Sequence, residues 1–237
     1  MLSFITSIFC SSFAAVTFLL IWRRLPASWL FDTADTSPHP LARDTSLFSW
    51  SFGALLFLVT LFLHFHEKTA HIGILGAFTR SWIVILLWLL AQIALADLLY
   101  RLIPDQWSLA IFCLGLLRLC YLTWTRWTTA PLSLGPAVTS ACFPQWPPLL
   151  FCAFTAFLLH VLPRRLIGRP ALGLGDVKLF FALAVALKPS LFFPSMIRAA
   201  LLGGVSALFM MATGRSHCGV PYGTVLALAV LWTWIFS

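Results

Sequence analysis

Charge is what this chain has least of. Asp, Glu, Lys and Arg make up 9% of its 237 residues, and only seven side chains are acidic. Soluble domains carry about 25% charged residues. With 61% hydrophobic residues, an ordinary soluble fold is excluded. Alternating strands of about ten residues, the mark of an outer-membrane barrel, are also missing, because the apolar runs are continuous. The six cysteines (Cys10, Cys113, Cys120, Cys142, Cys152, Cys218) include no C-x-x-C pair, so a cysteine zinc site is not expected. His64, His66 and His71 come nearest to a ligand cluster, and at a membrane edge they read as interfacial histidines. No metal and no cofactor are expected. There is no RNA-binding motif, no long basic run and no internal repeat, so the net charge of +8 is read as a consequence of membrane topology, not of a nucleic-acid partner.

What is present is hydrophobic length. A transmembrane helix needs about 20 apolar residues, and eight candidate spans stand out: 4–22, 47–65, 81–103, 107–123, 148–163, 178–194, 195–213 and 221–236. The expected fold is an all-α polytopic membrane protein of about eight helices in one membrane domain. The sixth and seventh spans are expected to meet at Pro194. No basic residue precedes the first span and Arg23–Arg24 follow it, which argues against a cleavable signal peptide and for an N-terminus outside. Alternation then places Arg23, Arg24, Arg43, Arg101, Arg164, Arg165, Arg169, Lys178 and Arg215 inside, against Lys68, Arg80, Arg126, Lys188 and Arg198 outside. Arg118 falls within the fourth span, where snorkelling to the outer surface would accommodate it. The two longest loops, 24–46 and 124–147, resemble no folded soluble domain; the second reads as a Trp-rich interfacial segment.

With seven acids, each can be weighed. Asp32, Asp35, Asp44 and Glu67 lie in loops or at their edges, and Asp105 follows Pro104 as a turn or helix-cap residue. Asp97 lies in the last two turns of the third span. A charge at the centre of a spanning helix costs about 2.5–3.5 kcal/mol, less near an end, and such residues usually face a bundle interior or a wet cavity. The plainer account is pairing with Arg101 one turn later. Asp176 opens the sixth span behind Gly173 and Gly175, where glycines permit positive φ or close approach of another backbone and the helix dipole favours a carboxylate. On its own this is a capped helix start. Two aspartates at one membrane depth can do more. Close carboxylates share a proton, so one can take a proton from water while the other donates to a scissile carbonyl.

ALADLLYRLIPDQWSL (94–109) and GLGDVKLFFAL (173–183) together resemble the type IV prepilin leader peptidases, membrane aspartic proteases of the G-x-G-D class. PYGTVLALA (221–229) is a weaker echo of that family's last span, with Thr224 in place of a proline. The resemblance implies a catalytic pair of Asp97 and Asp176, with Pro104, Gly173, Gly175 and Lys178 supporting the site. It implies two N-terminal helices over 1–80 and a six-helix core over 81–237. It also implies prepilin or pseudopilin substrates with a short basic leader, cut at the cytoplasmic face of a bacterial inner membrane after Gly and before Phe-like residues. Bifunctional members carry a two-C-x-x-C insert that methylates the new amino terminus; loop 24–46 is short and has no cysteine, so methyltransferase activity is not expected. Two other readings stand beside this one. A presenilin- or signal-peptide-peptidase-like protease would pair Tyr-Asp with G-x-G-D, whereas Ala96 precedes Asp97 here. A proton-coupled transporter would show broken helices in both halves, and only one Gly-interrupted segment is visible. The sequence does not set the oligomeric state.

Overall fold

A computed structural model describes residues 11–13, 15–20, 53–54, 74–129, 138–139, 141–168, 172–213 and 220–236. The expected span 47–65, loop 24–46 and the three histidines at 64, 66 and 71 lie wholly or almost wholly outside them. The described residues contain helices and no strand. They form α1 (Ile74–Tyr100), α2 (Asp105–Thr129), α3 (Trp146–Ala156), α4 (Leu162–Ile167), α5 (Leu174–Ala186), α6 (Pro189–Ala212) and α7 (Tyr222–Ile235). A 3-10 turn, Phe143–Gln145, leads into α3, and a π turn, Phe157–Val161, joins α3 to α4. Among the described residues, four helical stretches are long and apolar enough to cross a membrane: Trp82–Tyr100, Asp105–Thr128, Phe143–Leu166 and Pro189–Ala212. The chain is an all-α polytopic membrane protein, packed as two compact units, 1–104 and 105–237.

In the first unit, the Trp82–Tyr100 stretch of α1 is strongly apolar and mostly buried. Leu86, Leu90, Ile93, Leu95 and Ala96 are almost inaccessible, as expected of a helix without a polar face. Its buried Gln92 donates from Nε2 to the carbonyl of Phe18 (3.2 Å) in the helical segment Ser11–Leu20. The helix begins at Ile74, ahead of the expected 81, because hydropathy marks the apolar part of a helix and not its hydrogen-bonded length.

The second unit is organised around α5, and here the sequence expectation fails. The sixth helix does not run over 178–194. It spans only 13 residues, Leu174–Ala186, about 20 Å at 1.5 Å per residue, too short to cross a bilayer core of about 30 Å. The break falls at Leu187–Lys188, not at Pro194. Lys188 precedes Pro189, and a residue before proline is driven to extended backbone; Lys188 sits at φ −68°, ψ 149°. Pro189 then occupies the first helical position, which suits proline, while Pro194 lies inside α6.

A helix that stops within an apolar unit leaves carbonyls in need of donors. Leu187 N–H donates to Leu183 O (2.8 Å). The side-chain amide of buried Gln145 lies against the carbonyls of Ala184 and Leu187 (2.9 and 3.2 Å); a carbonyl only accepts, so the amide is assigned with its nitrogen toward them. Arg118 Nη1 donates to Ala186 O (3.3 Å). Arg118 is therefore not a snorkelling residue: it is 7% exposed and places a cation at a helix C-terminus, the favourable end of the dipole. Gly115, one turn earlier on α2, makes the approach close. A Cβ there would lie 2.7 Å from the Ala186 nitrogen and 2.8 Å from the carbonyl carbon of Val185. Small residues at such contacts are how membrane helices approach backbone to backbone.

The outward faces of α2, α3 and α6 are apolar. On α6, Ile197, Leu201, Val205 and Leu208 form an exposed stripe at helical spacing, a surface matched to lipid chains and not to water. Arg198 on α6 lies over the Trp232 ring of α7, 5.8 Å from its centroid, where the ring face attracts the cation.

Gly115→Ala is expected to force α2 and α5 apart, because both contacts are backbone and neither can swing away. A loss of about 1–3 kcal/mol, seen as a lower thermal midpoint in detergent, is the expected outcome; an unchanged midpoint would contradict this packing.

Candidate active site

Asp97 belongs to the first unit and Asp176 to the second. Asp97 is 5% exposed and lies in the last turn of α1. The helix ends by a left-handed residue: Arg101 has φ 57°, and its N–H donates to Asp97 O (2.9 Å). This is the single-bond αL cap, usually made by glycine. Pro104, buried, disfavours helix at Ile103. α1 thus ends at Tyr100, three residues after Asp97, with the Ile-Pro sequence just beyond the cap. The carboxylate is held on rigid helix immediately before that stop.

Asp176 lies in the first turn of α5, with Gly173 as the N-cap residue. It therefore occupies the third helical position, where the dipole favours negative charge. Gly173 has φ −63°, ψ 150° and Gly175 is within the helix, so neither needs the positive φ that glycine permits. Among the described residues that conformation occurs at Gly168 (φ 78°), which ends α4, and at Arg101. The reason for Gly173 is space. A Cβ there would stand 3.0 Å from Asp176 Oδ2. The carboxylate folds back over the N-cap residue, and the missing side chain leaves it room.

Lys178, whose contact is not readable from the sequence, pairs with Asp105 at the start of α2, Nζ to Oδ2 2.6 Å. Both side chains are substantially exposed (43% and 63%). The pair ties the first turn of α2 to that of α5, so the two helices run parallel from a common end, with Arg118 closing the contact at the other.

Tyr222 is the residue that sequence reasoning noticed only as part of a weak echo. It opens α7, and its ring meets Phe180 edge-on (centroids 5.8 Å, 67°). Phe180 follows Asp176 by one turn on the same face of α5. Tyr222 fits because residue 203 on α6 is glycine, whose Cβ would stand 2.9 Å from its ring. The phenol lies within electrostatic range of Asp176. Of the expected site residues, Gly173, Gly175, Asp176 and Lys178 gather at the start of α5, with Tyr222 and Phe180 beside them.

The chain thus joins an apolar spanning helix, α1, that ends on a buried carboxylate with a short helix, α5, that begins on a second carboxylate behind Gly173; carboxylates buried in spanning helices are rare. The model of the type IV leader peptidase family matches residues 83–208, just over half of the chain and including both aspartates. The chain belongs to that family and is a membrane protease of the leader-peptidase kind. No curated protein matches it, and no solved structure does.

Two outcomes are expected. Gly173→Ala should displace the Asp176 carboxylate by a few tenths of an ångström, seen in a structure of the variant, with the thermal midpoint nearly unchanged. Lys178→Met should change stability by less than about 1 kcal/mol, since exposed ion pairs contribute little; chemical or thermal unfolding of the purified protein measures it.

Proposed function

We propose that the chain is an aspartic endopeptidase in which Asp97 and Asp176 serve one water molecule, and that it removes the basic leader from prepilins or pseudopilins at the cytoplasmic face of a bacterial inner membrane. The observation that carries this reading is the burial of Asp97. A carboxylate 5% exposed in an apolar helix is kept at a cost; a peptidase of this family has a use for it.

The chemistry follows from what two carboxylates can do. In this reading the two carboxyl groups hold one proton between them, written here with Asp97 as the protonated member and Asp176 as the ionised one. Asp176 takes a proton from water as the oxygen attacks the scissile carbonyl carbon. Asp97 gives its proton to the carbonyl oxygen. Collapse of the tetrahedral intermediate releases the leader and the new amine: the amine takes its proton from Asp176 as it leaves, and a hydroxyl proton of the intermediate returns to Asp97. Every electron pair moves between water, peptide and the two carboxyl groups, so no metal or cofactor is called for. The exposed apolar start of α5 and the Tyr222–Phe180 edge are consistent with an extended peptide arriving at this end of the helix. Methyl transfer is not part of the proposal, because no C-x-x-C pair exists in the sequence.

Co-expression of a candidate prepilin with wild type, Asp97→Asn and Asp176→Asn tests the dyad. Each variant is expected to lose leader cleavage by at least about a thousandfold, since the groups act as a unit, while accumulating in the membrane like the wild type. Unchanged cleavage, by mass spectrometry of the pilin N-terminus, in either variant sinks the reading.

A further inference from the structure

The segment that delivers Asp176 is fastened at one residue, and the fastening comes from an irregular turn. Leu172, buried, directly precedes the N-cap Gly173. Both of its backbone groups are engaged by the helix before it. Its N–H donates to Leu159 O (3.0 Å), and its carbonyl faces His160 Nδ1 at 2.8 Å. A carbonyl can only accept, so Nδ1 carries the proton.

The two partners are neighbours within the π turn Phe157–Val161, and the sequence explains why the turn is there. In a regular α-helix Leu159 O would accept from the N–H of residue 163. Residue 163 is proline, which has no N–H and whose ring collides with the carbonyl four residues earlier. The helix widens instead: Leu162 N–H reaches back to Phe157 O, the wider i→i+5 bonding of a π turn. Leu159 O thereby loses its i+4 donor and accepts from Leu172 N–H. The same widening presents the His160 ring to the neighbouring carbonyl. Such bulges occur disproportionately at functional sites.

We propose that His160 is a positioning residue for Asp176. Together with the Leu159 carbonyl freed by Pro163, it holds Leu172 at both backbone groups and so fixes how far the start of α5, and the carboxylate at its third position, can slide along the helix axis. At the other end of α5, Arg118 and Gln145 hold the carbonyls, so the helix is pinned at both ends. The inference rests on the reading of Asp176 as catalytic. A displacement of about 1 Å at a reacting group costs about a hundredfold in rate, so a clamp one residue from the N-cap is a rate-determining fixture and not only a packing contact.

Leader cleavage is measured on the full-length protein in detergent for wild type, His160→Leu, His160→Asn and Asp176→Asn, together with hydrogen exchange at the Leu172 amide. Asn carries a donor at the place of Nδ1, whereas Leu carries none. His160→Leu is expected to lower kcat about tenfold to a hundredfold with KM and thermal midpoint little changed and faster exchange at Leu172. His160→Asn is expected to recover most of the rate. Wild-type turnover in His160→Leu, or equal losses of rate and thermal midpoint in Leu and Asn alike, would overturn the inference. Asp176→Asn separates the two levels: if it retains cleavage the aspartic reading fails whatever His160 does, and if it alone abolishes cleavage only the role of His160 fails.

Discussion

A backbone carbonyl in a membrane interior must find a donor inside the protein, and the second unit is arranged around one place where a helix ends too early to find its own. α5 stops after 13 residues. The donors come from two other stretches: Arg118 on α2 and Gln145 in the turn before α3. Gly115 exists so that α2 can come near enough for Arg118 to reach. Once those contacts are fixed, the axial position of α5 is fixed, and with it the height of Asp176.

The interior proline and the unusual turn follow the same logic at the opposite end. Pro163 removes one helical donor, and the carbonyl that loses it is used to hold the segment ahead of α5. Neither device adds hydrophobic burial. Each converts a lost helical hydrogen bond into a tertiary one, so irregular backbone becomes a means of placement. Arg101 works locally: its left-handed conformation carries a strain cost of about 1–2 kcal/mol and caps α1 on the carbonyl of Asp97.

The all-α membrane class could be read from composition alone, because apolar run length has few structural meanings. The placement of Asp97 in a last turn and Asp176 in a first turn was also legible, since Ile-Pro and Gly-x-Gly are strong local stop and start signals. What was not legible depends on side chains meeting across the unit. Pro194 looked like a border because proline is usually one, yet Pro189 was the proline that mattered, being preceded by a residue already free to leave the helix. Arg118 looked misplaced because its acceptor, the Ala186 carbonyl, belongs to a helix whose end the hydropathy pattern ran straight through. Lys178 could be placed but not explained until Asp105 stood 2.6 Å away. Gly173 has an ordinary φ; its role is volume, which no single-residue propensity encodes.

Because α2 and α5 run parallel, their N-termini stand side by side, and each presents about half a positive elementary charge. Antiparallel neighbours would cancel these ends; parallel ones add them. Asp105 and Asp176 sit in the two first turns, with Lys178 bound to the former. In terms of charge balance, the two dipole ends and the ammonium together offset the two carboxylates, leaving this end of the helix pair close to neutral. The parallel pairing of the two helices is thus part of the electrostatics around Asp176.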